Sequence, residues 1–317
     1  MRTAPIAAIC TLLLIAACAG GGKVSLTTFL GGNDGISIEF DKNAPPKEVF
    51  DGGDFPFDVV VKLQNKGEYA VAKDNVKVTI TGIRPQEFDQ TDAGLKKAPD
   101  EDLTERKKDT QGSPVEPNQV YVEFKDFNHK TDITGAQLSF PVRAEVCYDY
   151  GTTAATSLCV RRNLANPEVG GLCELEGDRP LSTSGAPVQV ENVKEFRRGK
   201  DSVGFTFTIK EVGPPNGKIF QKSSGCAGDR TTEDRVFVSV KTDIPGLSCQ
   251  GLDTASDGRA EGTIALYGEP REVSCVQKIP TPSDYEVPIT IKLGYDYRDH
   301  VETSILVKHA GEVNASA

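Results

Sequence analysis

Residues 141 to 162 read PVRAEVCYDYGTTAATSLCVRR and residues 288 to 309 read PITIKLGYDYRDHVETSILVKH; superposed at an offset of 147, they agree at seven of 22 positions. The common centre is Tyr148-Asp149-Tyr150 over Tyr295-Asp296-Tyr297, and Val142/Ile289, Val146/Leu293 and Leu158/Ile305 keep apolar character. Each segment closes its half of the chain, so the sequence reads as a duplication. Apolar residues alternate with polar ones: Val142, Ala144, Val146, Tyr148 and Tyr150 on one side, Arg143, Glu145, Cys147 and Asp149 on the other. The second copy sets Ile289, Ile291, Leu293, Tyr295 and Tyr297 against Thr290, Lys292, Gly294 and Asp296. That period of two is the pattern of a strand with one buried face, and each copy is expected to close as a hairpin with its loop near residue 153 or 300.

Working outward, Phe57, Val59, Val61 and Leu63 alternate in the same way, as do Val203, Phe205, Phe207 and Ile209. Further strands are expected at 36–40, 76–83, 120–127, 187–193, 235–241, 262–267 and 271–277, separated by Gly, Pro, Asn and Asp clusters that supply turns. No amphipathic helix of useful length is found. Seven or so short strands per copy without βαβ spacing predict an all-β protein of two tandem Ig-like antiparallel β-sandwiches. Residues 36–162 are expected to form the first and 186–310 the second, with a linker at 163–185 and a tail at 311–317. A polar stretch at 90–119, carrying Asp100-Glu101-Asp102 and Arg106-Lys107-Lys108, reads as an insertion, a solvated excursion or a binding loop.

The 317 residues carry 36 Lys+Arg against 46 Asp+Glu, a net charge of −10 that disfavours nucleic acid as a partner. With 26% charged and 38% hydrophobic residues, the chain is neither polytopic in a membrane nor disordered throughout.

The N-terminus, MRTAPIAAICTLLLIAACA, has the charged start and apolar run of a secretory signal. Its apolar part is too short to favour a permanent span. Ile15-Ala16-Ala17-Cys18 looks like a lipobox, which implies cleavage of a 1–17 signal peptide, lipidation of Cys18 and a Gly-rich tether over 18–35. Cleavage after Ala19 is the competing reading. Both export the protein, the first onto the outer face of the cytoplasmic membrane or the cell surface.

Six further cysteines suit three disulfides in an oxidising compartment. Cys147 and Cys159 are symmetric about residue 153 and are expected to bridge the hairpin. Cys249–Cys275 is expected to join strands flanking 262–267, and Cys173–Cys226 follows by elimination. There is no Cys-x-x-Cys pair and only three histidines, so neither a zinc site nor a redox motif is indicated.

His129, His300 and His309 sit in no nucleophile or metalloprotease motif and read as surface residues; no catalytic residue, metal or cofactor is assigned. Acidic turns at Asn33-Asp34, Asp51 with Asp54, and Asp253 with Asp257 match no calcium-loop spacing. The four repeat tyrosines read as core, and Asn314 begins a lone glycosylation sequon.

The Val59-Val60-Val61-Lys62-Leu63-Gln64-Asn65 run with Gly67 after it resembles the cell-adhesion-related Ig-like modules of prokaryotic surface proteins. Cys147-Tyr148-Asp149-Tyr150 and Leu158-Cys159-Val160, followed by Gly185-Ala186-Pro187-Val188, are similar to exported archaeal proteins. That resemblance implies tandem sandwiches at the cell surface and no particular activity. The expected function is a membrane-tethered extracytoplasmic interaction, adhesion or envelope-structural protein without catalysis, with a protein or cell-envelope partner. The alternatives are a solute- or glycan-binding lipoprotein and an exported hydrolase using two carboxylates in a cleft.

Overall fold

The computed structural model describes residues 29–164, 171–255, 257–281 and 283–310. The leader with Cys18 and the sequon at Asn314 lie outside these residues. The described chain is all-β, with antiparallel sheets and two single-turn 3-10 segments at Lys73–Asn75 and Pro85–Phe88. Among the described residues no helix is long and apolar enough to cross a membrane.

Each repeat segment forms one strand instead of a hairpin. Gln137–Val160 and Tyr285–Lys308 are 24-residue strands paired antiparallel over their whole length. Gly151-Thr152-Thr153 supplies none of the Asn-Gly or Asp-Gly chemistry a tight turn requires, and β-branched threonines favour extended backbone. The second copy is no better suited, with Arg298-Asp299-His300-Val301 at the corresponding place. Tyr148 therefore faces Tyr297, Asp149 faces Asp296 and Tyr150 faces Tyr295. Because the repeat equates residue 149 with 296, an approximate two-fold axis runs between these two aspartates.

The halves use this axis to exchange strands. The first part of Gln137–Val160 pairs with Val76–Thr81 of its own copy, Val76 facing Tyr148 and Ile80 facing Ala144. The first part of Tyr285–Lys308 pairs in the equivalent way with Arg235–Thr242, Val238 facing Leu293 and Val240 facing Ile291. Past the axis, each long strand runs on beside the other copy's long strand, and one ten-stranded sheet results. Lys218–Phe220 adds to the far part of the second long strand, and Glu48–Phe50 joins it in parallel.

A second layer covers each half. Ile36–Phe40, Phe57–Asn65 and Gln119–Phe127 form the first; Val188–Arg197, Ser202–Glu211 and Arg271–Lys278 are the centre of the second. Alternation in Phe57–Asn65 buries Phe57, Val59, Val61 and Leu63, as the sequence pattern requires. The 90–119 insertion is folded down: Leu95 and Leu103 are buried, and Leu103 exchanges backbone hydrogen bonds with Val71.

The strand exchange also changes the disulfides. Cys147 and Cys159 lie twelve positions apart on one extended strand, roughly 40 Å at ~3.3 Å per residue, far beyond the ~7 Å Cα limit for a bridge. The expected Cys147–Cys159 and Cys173–Cys226 pairs are therefore replaced. Cys147 bonds Cys226 of the second half, with Cα atoms 6.0 Å apart, and Cys159 bonds Cys173, pinning the segment after the strand. Cys249 and Cys275 face each other across neighbouring strands and are bonded. Three disulfides are consistent with an extracellular environment.

Candidate functional site

The four tyrosines at the two-fold axis are core residues, none exposed by more than 1%. Their hydroxyls tie the two layers together. Tyr148 Oη accepts from the Ile36 backbone N–H at 3.2 Å, and Tyr150 Oη donates to Asn65 Oδ1 at 2.8 Å. In the other copy Tyr295 Oη accepts from the Val188 N–H at 3.3 Å, while Tyr297 Oη faces Glu211 without closing a hydrogen bond. Ile36 and Asn65 are cross-strand partners, as are Val188 and Glu211, so both copies use one design. Burial pushes all four phenols above their ordinary pKa, which keeps them neutral.

The sheet's outer face at the axis carries Asp149 and Asp296. Asp296 is consumed by structure: Oδ1 accepts from Ser223 N at 2.9 Å, and Oδ2 from Gly225 N at 2.7 Å and Ser224 Oγ at 3.2 Å. It holds the loop that presents Cys226. Asp149 accepts from Tyr69 Oη at 3.3 Å; burial raises its carboxyl, and the nearby Lys222 ammonium opposes that rise.

Beside the aspartates the outer face opens into a groove of about 610 Å³. Gly151 and Gly294 are cross-strand partners, so two adjacent strands lack side chains at the same level. Two residues approach that gap from loops. The Tyr69 ring lies so close over Gly151 that an added Cβ would meet it at 2.7 Å, and the Lys222 stem would stand 3.1 Å from one on Gly294. Phe237 flanks Gly294 from the neighbouring strand. The next level holds Thr153, Lys292, Ser239 and Glu261; the one after it, Thr290, Lys241 and Arg259. The groove is composite, since Tyr69 belongs to the first half, Lys222 and Lys292 to the second, and the floor lies where the halves exchange strands.

Its electrostatics run against the net charge of the chain. Lys222, Lys241, Lys292 and Arg259 surround a single carboxylate, Glu261, which lies 3.4 Å from Arg259 and accepts from Ser239 Oγ at 2.7 Å. Lys222, Lys241 and Lys292 are exposed and lie outside the ion pairs formed among the described residues. Alternation already places Thr290 and Lys292 on the outer face. The groove itself was hidden, because bringing Thr153 beside Lys292 depends on the exchanged register.

The remaining candidates are structural. His129 is buried at 3% exposure among Phe88 and Phe140, and so is not the surface residue expected: it follows Phe127 at the end of a core strand and fills the space between those rings. Asp51 accepts from Ile133 N, Ala310 N and His309 Nδ1, at 2.7–2.8 Å, which holds its carboxyl well below the usual range and fastens the chain's far end. The Asp253–Asp257 turn gives Asp257 to Arg259 at 3.6 Å. Among the described residues no group of three or more His, Cys, Asp or Glu is arranged to hold a metal.

No protein-family model and no curated protein matches the chain. Among solved structures, the crystal structure of BuGH86E322Q in complex with neoagarooctaose is similar over 76% of this chain at 10% identity. The chain spans 34% of that protein, and the TM-score of 0.17 is too low to carry any argument about fold or function.

Proposed function

We propose that this chain is a membrane-tethered extracytoplasmic binding protein without catalytic activity, made of two Ig-like sandwiches that share their last strands. Its partner is a component of the cell envelope, and its anchor is lipidated Cys18. The observation that carries the reading is the composite groove. Three exposed lysines, none of them in an ion pair among the described residues, stand there over a floor stripped of side chains at Gly151 and Gly294. Lys222 has Asp149 nearby, but like charges side by side cost stability, and a ligand that pairs with Lys241 and Lys292 accounts for their standing together on a disulfide-braced sheet. The braced sheet suits binding more than closure, since a pre-formed seat loses little conformational freedom on association.

The test is retention. Mature protein immobilised through its C-terminus is exposed to solubilised cell envelope beside the Lys241→Glu/Lys292→Glu double variant. A component held by the native protein and released by the variant supports the reading; equal retention by both, or none by either, overturns it.

A further inference from the structure

Which chemistry the groove accepts follows from what lines it, if the reading of the groove as a ligand seat holds. The cations are graded along the strands. Lys222 packs over Gly294, Lys292 lies two residues along the same strand, and Lys241 is opposite Thr290, two further on. Same-face neighbours on a strand are roughly 7 Å apart, so positive charge repeats at about that spacing along some 14 Å of groove. Between the cations lie the hydroxyls of Thr153, Ser239 and Thr290, and the apolar ring of Phe237 closes one end.

A small anion would use one lysine and leave the hydroxyls and ring idle. A purely apolar ligand would strand three ammonium groups. A long polyphosphate such as nucleic acid would run out of the groove onto a protein carrying a net charge of −10. We infer that the groove binds a short segment of an acidic polysaccharide, its carboxylates paired with Lys222, Lys292 and Lys241, its hydroxyls with Thr153, Ser239 and Thr290, and one sugar face against Phe237. The volume of about 610 Å³ lies within the ~300–1,000 Å³ of sites that enclose ligands of a few rings.

Calorimetric titration of the mature protein with tetragalacturonate, maltotetraose and a short oligothymidylate tests this. Tetragalacturonate is expected to bind saturably and more weakly as salt rises. Either Lys241→Glu or Lys292→Glu weakens it by about tenfold or more, the loss of one charge-assisted contact. Lys200→Glu, the same charge change in an exposed turn of the other layer, leaves the affinity unaltered. Maltotetraose, with the rings but no carboxylates, binds at least tenfold less well. The inference is overturned if tetragalacturonate does not bind, if the groove reversals leave its affinity unchanged, or if oligothymidylate binds as tightly. Lysine-dependent retention from envelope without uronate binding overturns this inference alone and leaves the binding-protein reading intact. Circular dichroism of each variant confirms the fold; the substituted lysines are exposed, so the far-ultraviolet spectrum stays native.

Discussion

Removing the Cys147–Cys226 bridge tests the exchanged architecture most directly. This bond spans 79 residues and crosses from the first half to the second, whereas Cys159–Cys173 spans 14 within one region. Chain-entropy reasoning makes the longer span worth about 4.5 kcal/mol and the shorter about 3 kcal/mol, because closing a longer loop removes more freedom from the unfolded chain. The Cys147→Ala/Cys226→Ala variant is thus expected to unfold at lower guanidinium concentration than Cys159→Ala/Cys173→Ala, by an interval equivalent to about 1.5 kcal/mol. Both are measured by tyrosine fluorescence under non-reducing conditions against the native protein. Peptide mapping of the unreduced native protein accompanies the measurement, and a peptide joining Cys147 to Cys226 is required. A reversed order of stabilities would refute the entropic ranking, and a Cys147–Cys159 peptide would refute the single 24-residue strand.

Glu195 gives a pH signature of unusual sign. Its side chain is buried against Arg179 and the Cys159 N–H, and burial pushes its carboxyl up to about 7 from the ordinary 4.5. A raised folded-state value means the folded chain holds the proton more tightly. The stability from this group is complete below pH 4.5 and is lost as pH rises through about 7, with a ceiling of about 3 kcal/mol. Melting temperature measured from pH 5 to 8 should fall less steeply in Glu195→Gln; parallel curves would count against burial as the cause. Gly67→Ala is expected to cost about 1–3 kcal/mol or more, since its Cβ would stand 2.2 Å from Tyr150 Oη and 2.5 Å from the Asp34 and Gly185 carbonyls; an unchanged denaturation midpoint would contradict that packing. Tyr150→Phe removes one buried hydrogen bond to Asn65 and is expected to cost about 1 kcal/mol in the same assay. Intact mass of membrane-extracted protein should show a chain beginning at an acylated Cys18, and a free N-terminus at Gly20 would eliminate the anchor.

Much of the layer structure was legible in the sequence because it rests on period-two burial. Phe57–Asn65, Ser202–Glu211 and Arg271–Lys278 fall where alternation places strands, and the tyrosines of both repeats point inward. What alternation cannot encode is which strand lies next to which. A strand that turns back at residue 153 and one that runs straight through have the same inward and outward phases. The choice between them decided two of the three disulfides and the position of Thr153 beside Lys292. Gly151 was the available clue: it looks like a turn residue but serves as a gap beneath Tyr69. His129 was misjudged for another reason, since its burial depends on Phe88, brought over it by a 3-10 turn with no periodic signal.

The reciprocal clasp of the two halves has a consequence for biogenesis. Tyr285–Lys308 is synthesised well after Gln137–Val160, yet it completes the sheet of the half made first. Until it arrives, Gln137–Val160 presents a bare edge 24 residues long, the kind of surface that recruits strands from other molecules. A polypeptide threaded through a membrane as an extended thread, and allowed to fold only when both long strands have crossed, escapes that hazard; one that folded as it was synthesised would meet it every time.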